Sequence, residues 1–166
     1  MNAIVVYESL WGNTAAVARA IAEGIGGGTE ALSTAEATPE RLADAELVVA
    51  GSPILGFKMP SEAMRASVGS NLPANVPAPD LSHPSMRSWL EALPAASGRF
   101  ATFETRVKGP WGNAVKEIAK LLSASGRTPV DGATPSMAFI VTGKYGPLRE
   151  GELDRARAWG SELAAS

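Results

Sequence analysis

Apolar and polar residues alternate along the chain in two rhythms. Nearly continuous apolar runs stand at residues 3–7, 47–50 and 137–141, with an apolar-rich stretch at 99–103 and a weaker one at 29–32. Runs of this length suit strands covered on both faces, as in a parallel sheet. Between them the period changes. Thr14, Val17, Ala18, Ile21, Gly24 and Ile25 fall on one helical face, predicting a helix over residues 13–25 that Gly26-Gly27-Gly28 ends. Val115, Ile118, Ala119 and Leu122 form the inner stripe of a helix over 112–125, with Gly126 just past its end. A last helix over 150–164 buries Leu153, Ala156, Gly160 and Leu163 with Trp159 alongside. Shorter helices are predicted at 38–43, where Pro39 follows a Thr38 cap, at 61–68 and at 85–93. Strands alternating with helices give an α/β class with a parallel sheet between helical layers.

One segment breaks the rhythm. Residues 71–84 hold Pro73, Pro77, Pro79 and Pro84, too many for a helix or an inner strand. The segment reads as a surface meander, the alternative being a lid over a ligand. His83, the only histidine, reads there as a solvent-exposed loop residue.

At 166 residues the chain suits a single domain, 1–166. A net charge of −2 gives no reason to expect nucleic acid or an anionic membrane as the main partner. The absence of cysteine excludes disulfides, thiolate nucleophiles and cysteine metal sites. No leader-like or membrane-spanning run is visible, so the expectation is a cytoplasmic protein, monomeric or weakly dimeric.

Candidate chemistry lies on the loops that follow the strands. Ser9-Leu10-Trp11-Gly12-Asn13-Thr14 joins the first strand to the first helix. Unpaired N–H groups and the dipole at a helix start attract an anion, and Gly12 lets backbone come close to a ligand. Ser9, Asn13 and Thr14 offer side-chain donors. The alternative is an ordinary corner capped by Asn13 or Thr14. Neither the G-x-G-x-x-G fingerprint nor the P-loop fits, which disfavours nucleoside triphosphate chemistry. The second loop, Gly51-Ser52-Pro53-Ile54-Leu55-Gly56-Phe57, carries large apolar side chains where solvent is expected. The third runs from Glu104 to Asn113 and includes Thr105, Arg106, Lys108, Trp111 and Gly112. Ligands of open parallel sheets bind beyond the carboxyl ends of the strands, so these loops meet at one edge, with 142–148 beside them. Apolar loops at that edge suit a flat apolar ligand.

Over nearly all its length the chain resembles the flavodoxin family. The family's [ST]-x-[ST]-G-x-T loop is matched by residues 9–14 except at Trp11. A Trp before the glycine is similar to the flavodoxin domains of flavodiiron proteins. Those domains also have a Gly-Ser-Pro opening like Gly51-Ser52-Pro53, and a Trp-containing turn running into Ala-Val-Lys, like residues 111–116. The resemblance implies a flavodoxin-like three-layer sandwich with a five-stranded parallel sheet of order 2-1-3-4-5. It implies FMN as cofactor, its phosphate on Ser9, Leu10, Trp11, Gly12, Asn13 and Thr14. The flavin ring would lie between Pro53, Ile54, Leu55, Gly56 and Phe57 on one side and Glu104, Thr105, Arg106, Lys108, Trp111 and Gly112 on the other. Trp11 removes one hydroxyl donor from the family pattern, and Trp111 is the best aromatic candidate beside the ring.

Lys58, Arg106, Lys108 and Lys144 lie on these loops against Glu8 and Glu104. Cations beside a flavin stabilise its anionic reduced form, so the expected potential is less negative than that of an acidic carrier. The leading function is an FMN-binding redox protein that carries electrons between protein partners. One alternative is an FMN-dependent NAD(P)H or quinone reductase, in which Arg106 or Lys108 holds the substrate's negative charge. Another is a flavodoxin-like binding module that no longer holds FMN. A phospho-receiver is set aside, since strands one and three end in Tyr7-Glu8 and Ala50-Gly51 without its acidic cluster.

Overall fold

A computed structural model describes residues 1–110 and 112–166. Parallel strands β1 (Ala3–Tyr7), β2 (Glu30–Ser33), β3 (Leu47–Pro53) and β4 (Arg99–Val107) stand in the order β2-β1-β3-β4. The lane beyond β4 is shared. Short β5 (Thr128–Pro129) pairs with the first residues of β4, and β6 (Ser136–Val141) pairs with Thr102–Val107. The expected order 2-1-3-4-5 therefore holds, with the fifth position split into two segments that make six strands in all. Residues 130–135 bulge out between them and rejoin through the Thr102 N–H to Pro135 carbonyl bond.

Helices cover both faces. On one lie α1 (Asn13–Ile25) and α6 (Glu152–Ala165), burying Val17, Ile21, Ala156, Trp159 and Leu163 against Val5, Val49, Phe103 and Phe139. On the other lie α2 (Pro39–Leu42), α4 (Met86–Glu91) and α5 (Ala114–Ala124), where Leu42, Met86, Trp89, Ile118 and Leu122 meet Ile4, Val6, Val48 and Phe100. The sixth helix, α3 (Glu62–Ser67), follows the loop after β3. Thr38, Ser61, Ser85 and Asn113 each accept a backbone N–H three residues on, at the starts of α2, α3, α4 and α5. Such caps contribute about 1 kcal/mol each.

Helix α1 occupies the residues its periodicity predicts, and β3 and β4 are longer than the apolar pattern shows. Both strands continue through polar residues because each is the other's partner: Ser52 stands beside Glu104, and Pro53 beside Thr105. Glu104, Thr105 and Arg106, expected on a loop, are strand residues.

Where α1 crosses α6, no side chain separates the backbones. A Cβ on Gly160 would lie 2.3 Å from the Ile21 carbonyl oxygen, and one on Gly24 2.1 Å from that of Arg157. On an open helix, Gly→Ala stabilises by about 1 kcal/mol. Here Gly160→Ala is expected to destabilise by about 2–3 kcal/mol, because two packed helices must be pushed apart. Urea unfolding measures this; a variant as stable as the parent would mean the helices do not cross so closely.

Candidate functional site

The carboxyl ends of β1, β3, β4 and β6 surround a cleft of about 390 Å³. Ser9, Leu10, Trp11, Asn13 and Thr14 line it from the first loop, and Pro53, Ile54, Leu55, Gly56 and Phe57 from the second. Thr105, Arg106 and Val107 line it from the end of β4, and Val141 and Lys144 from β6 and its following loop.

The first loop is built on Ser9. Its Oγ accepts the N–H groups of Gly12 (3.1 Å) and Ala15 (3.2 Å), doing for α1 what a capping side chain does. The N-cap position itself is Gly12, at φ 90°, so neither Asn13 nor Thr14 caps the helix. Nothing within 4 Å stands where a Gly12 Cβ would be. The N–H groups of Asn13 and Thr14, in the first turn, have no acceptor among the described residues. With two acceptor contacts filled, the Ser9 hydroxyl keeps its own proton to donate. Thr14 Oγ1 meets Thr105 Oγ1 at 2.7 Å, and Asn13 Nδ2 donates to the Tyr145 carbonyl. The Trp11 indole N–H is committed to the Pro77 carbonyl, and its ring meets Tyr145 edge-on at 4.8 Å.

The proline-rich segment is a strap behind this loop. Asp80 N–H donates to the Leu10 carbonyl (2.8 Å), and Ser9 N–H donates to His83 Nε2 (3.0 Å). His83 is therefore buried, 5% exposed, and not the solvent-exposed histidine the composition suggested. Its burial is matched by that hydrogen bond and by Arg65, which donates to the His83 carbonyl. Arg65 also pairs with Glu8 at 2.6 Å, and the other Glu8 oxygen accepts the Met86 N–H at the start of α4.

The second loop turns sharply. Leu55 and Lys58 exchange backbone hydrogen bonds, with Gly56 at φ 51° and Phe57 at φ 69°. Phe57, 61% exposed, holds a left-handed conformation that costs a side-chain-bearing residue roughly 1–2 kcal/mol. The third loop seats against it: a Cβ on Gly112 would lie 1.7 Å from the Phe57 carbonyl oxygen.

Not all the expected residues face the cleft. Glu104 turns away, accepts the Ala114 and Val115 N–H groups at the start of α5, and pairs with Arg106. Gly12, Lys108 and Gly112 do not line the cleft, and Trp111 lies outside the described residues. Glu8 is likewise buried behind the loop. Arg106 donates to Glu104 and to the Gly109 and Gly112 carbonyls, while its buried Nε has no partner. Among the described residues the cleft thus carries Arg106 and Lys144 and no carboxylate. Val107 and Val141, which the motifs did not flag, complete the apolar wall simply by ending strands. No cluster of three or more His, Asp or Glu able to hold a metal exists among the described residues. Nor is any helix among them long and apolar enough to cross a membrane.

The split parallel sheet, its winding order and the loop-lined cleft define a flavodoxin-like α/β fold. Comparison with known proteins agrees. A flavodoxin from the domain Archaea superposes with TM-score 0.67 at 24% identity, over 99% of this chain and 97% of that one. A flavodoxin, WrbA-like protein from Agrobacterium tumefaciens gives 0.62 at 21% identity, over 99% and 95%. The Flv1 flavodiiron core from Synechocystis gives 0.56 at 19% identity, over 99% of this chain and 35% of the larger one. No family model and no curated protein matches the sequence.

His83 carries a pH dependence. Burial holds its pKa below the ordinary 6.5; the Asp80 charge pulls it up and the Arg65 charge pushes it down. Below 6.5 the unfolded chain binds the proton first, so this contribution to stability is lost as pH falls through the folded value. Glu8 acts oppositely. Burial raises its pKa above the ordinary 4.5 against the Met86 and Arg65 hydrogen bonds, so its contribution grows as pH falls towards 4.5. His83→Gln keeps an acceptor for Ser9 and removes only the first effect. It is expected to lose less stability than the parent between about pH 7.5 and pH 5.5 in urea unfolding. Parallel pH profiles for the two proteins would show that His83 is not held neutral.

Proposed function

We propose that this protein binds FMN and carries electrons between partner proteins in the manner of a flavodoxin. One observation carries the reading: a helix start with two open N–H groups and a free hydroxyl proton adjoins an apolar cleft at the carboxyl edge of the sheet. The residues present suit the group. Ser9, Asn13 and Thr14 would hold the phosphate; Leu55, Phe57, Val107 and Val141 supply apolar surface for a flat ring. Arg106, with one buried N–H unpaired, offers a donor to the ring's polar rim. FMN, when bound, supplies the electron-transfer chemistry itself. The chain's task is then to bind, exclude water and set the local potential. Among the described residues no histidine or carboxylate lines the cleft, as suits electron carriage without proton transfer by the protein.

A second reading, an FMN-dependent reductase of a nicotinamide or quinone, draws on Lys144 at the cleft, a cation able to face an anionic substrate. NADPH consumption by the FMN-loaded protein, absent for a carrier and sustained for a reductase, separates the two.

The reading is tested by titrating the protein with FMN and with riboflavin, which lacks the phosphate, and following flavin absorbance. Ser9→Ala removes a charge-assisted hydrogen bond of about 1.5–3 kcal/mol as well as the acceptor of the Gly12 and Ala15 N–H groups, so FMN affinity is expected to fall roughly 10–100-fold and riboflavin affinity by clearly less. No FMN binding by the parent protein would instead leave a module with no flavin.

The charge of the cleft makes a separate prediction. Lys144→Gln is expected to move the flavin midpoint potential roughly 10–30 mV more negative in a redox titration. An unchanged potential would put Lys144 outside electrostatic reach of the ring.

A further inference from the structure

A second cleft, of about 640 Å³, opens at the opposite, amino-terminal edge of the sheet. Leu42 and Leu93 form its apolar lining, Asp44 and Glu46 stand on its rim, and Arg99 and Arg127 reach it from the strand starts. Along β4, Arg99 lies about 20 Å from Thr105, the nearest residue of that strand in the first cleft, six steps of roughly 3.3 Å.

Arg127 is the anomaly. It is 4% exposed, yet its Nε and Nη1 are buried with no hydrogen-bond partner, and it forms no ion pair among the described residues. Arg99, by contrast, is engaged by the Ser166 carbonyl oxygen and Met1 Sδ. A guanidinium stays protonated in proteins, and burying one without a counter-charge is strongly unfavourable. Nothing opposes the desolvation of Arg127, which lowers its pKa. A partner on the chain could have come from Asp44 or Glu46, but both are exposed on the rim; Glu46 accepts the Asn2 N–H instead.

We infer that this cleft binds a small monocarboxylate with an apolar body, its carboxylate on the planar fork of Arg127 and its body against Leu42 and Leu93. One buried guanidinium balances one negative charge, and the rim carboxylates repel a second, which selects a carboxylate over a phosphate dianion. Leu93, with Pro39 and Pro94 beside it, gives a hydrocarbon tail or ring an apolar strip of an otherwise mixed lining to lie against.

The test uses the full chain and sodium hexanoate, with inorganic phosphate as the competing anion. Arginine Nε–H resonances are followed by NMR. The expected result is a saturable shift of the Arg127 signal with hexanoate and none with phosphate. Arg127→Met is expected to abolish hexanoate binding; Arg127→Lys, which keeps the charge and loses the fork, to weaken it about 10-fold or more. No saturable shift in the parent, equal binding by Arg127→Lys, or a preference for phosphate would each overturn the assignment. FMN added to saturation is expected to leave the hexanoate response unchanged, so this outcome stands apart from that of the flavin site.

Discussion

The buried carboxylate of Glu8 holds the cleft edge together. It leaves the end of β1 on the side away from the cleft and meets Arg65 of α3 and the first N–H of α4. Arg65 in turn holds the His83 carbonyl, and His83 holds the Ser9 N–H. One ion pair therefore ties β1, two short helices and the proline-rich strap to the residue on which the anion-facing loop is built. Burying two charges is costly, and breaking such a pair by removing one partner costs about 3–5 kcal/mol. Its value lies less in net stability than in where it puts Ser9. Short helices of six residues could not be positioned by propensity alone.

The alternation of strand and helix was legible because it rests on apolar periodicity, which tertiary packing reinforces. Residues 3–7 and 13–25 were readable to the residue for that reason. The carboxyl-terminal halves of β3 and β4 were not. Gly51-Ser52-Pro53 and Glu104-Thr105-Arg106 have the composition of turns, and their pairing with neighbouring strands, with each other and with β6, keeps them extended. The split fifth lane was equally hidden, since Thr128-Pro129 has no strand pattern of its own and depends on Arg99 and Phe100.

Most of the cleft was legible too, as three loops in register. What escaped was set by contacts distant in sequence. His83 in a run of prolines carries no periodic signal, and its acceptor role exists only because Ser9 comes to it across 74 positions. Val141 belongs to no motif; it reaches the cleft because β6 lies against β4 along Thr102–Val107. Glu104 shows the reverse error. Its place beside the third loop suggested a face toward the ligand, whereas the orphan N–H groups at the start of α5 claim its carboxylate. The electrostatic consequence is larger than the positional one: Glu8 is drawn to Arg65 and Glu104 is shared between Arg106 and the start of α5, so Lys144 is left as a cleft cation with no carboxylate partner among the described residues.

The treatment of buried charge across the molecule follows one rule with one exception. Glu8 has Arg65 and a backbone N–H; Glu104 has Arg106 and two; Glu152 has Arg149, Arg155 and the Ile140 N–H. At Glu152 burial alone would raise the pKa, yet those three partners outweigh it and hold the carboxyl low. Each carboxylate buried by an element's end is thus matched by cations and by the unsatisfied donors that such ends supply. At the amino-terminal strand edge the matching supply is the carbonyl groups of helix ends, and Arg99 takes that of Ser166. Arg127 sits there too, its Nε and Nη1 matched by no acceptor among the described residues. A fold that gives three buried carboxylates both cations and backbone donors and leaves Arg127 Nε and Nη1 unpaired has either placed an unrelieved cost at that edge or left room for an anion from outside.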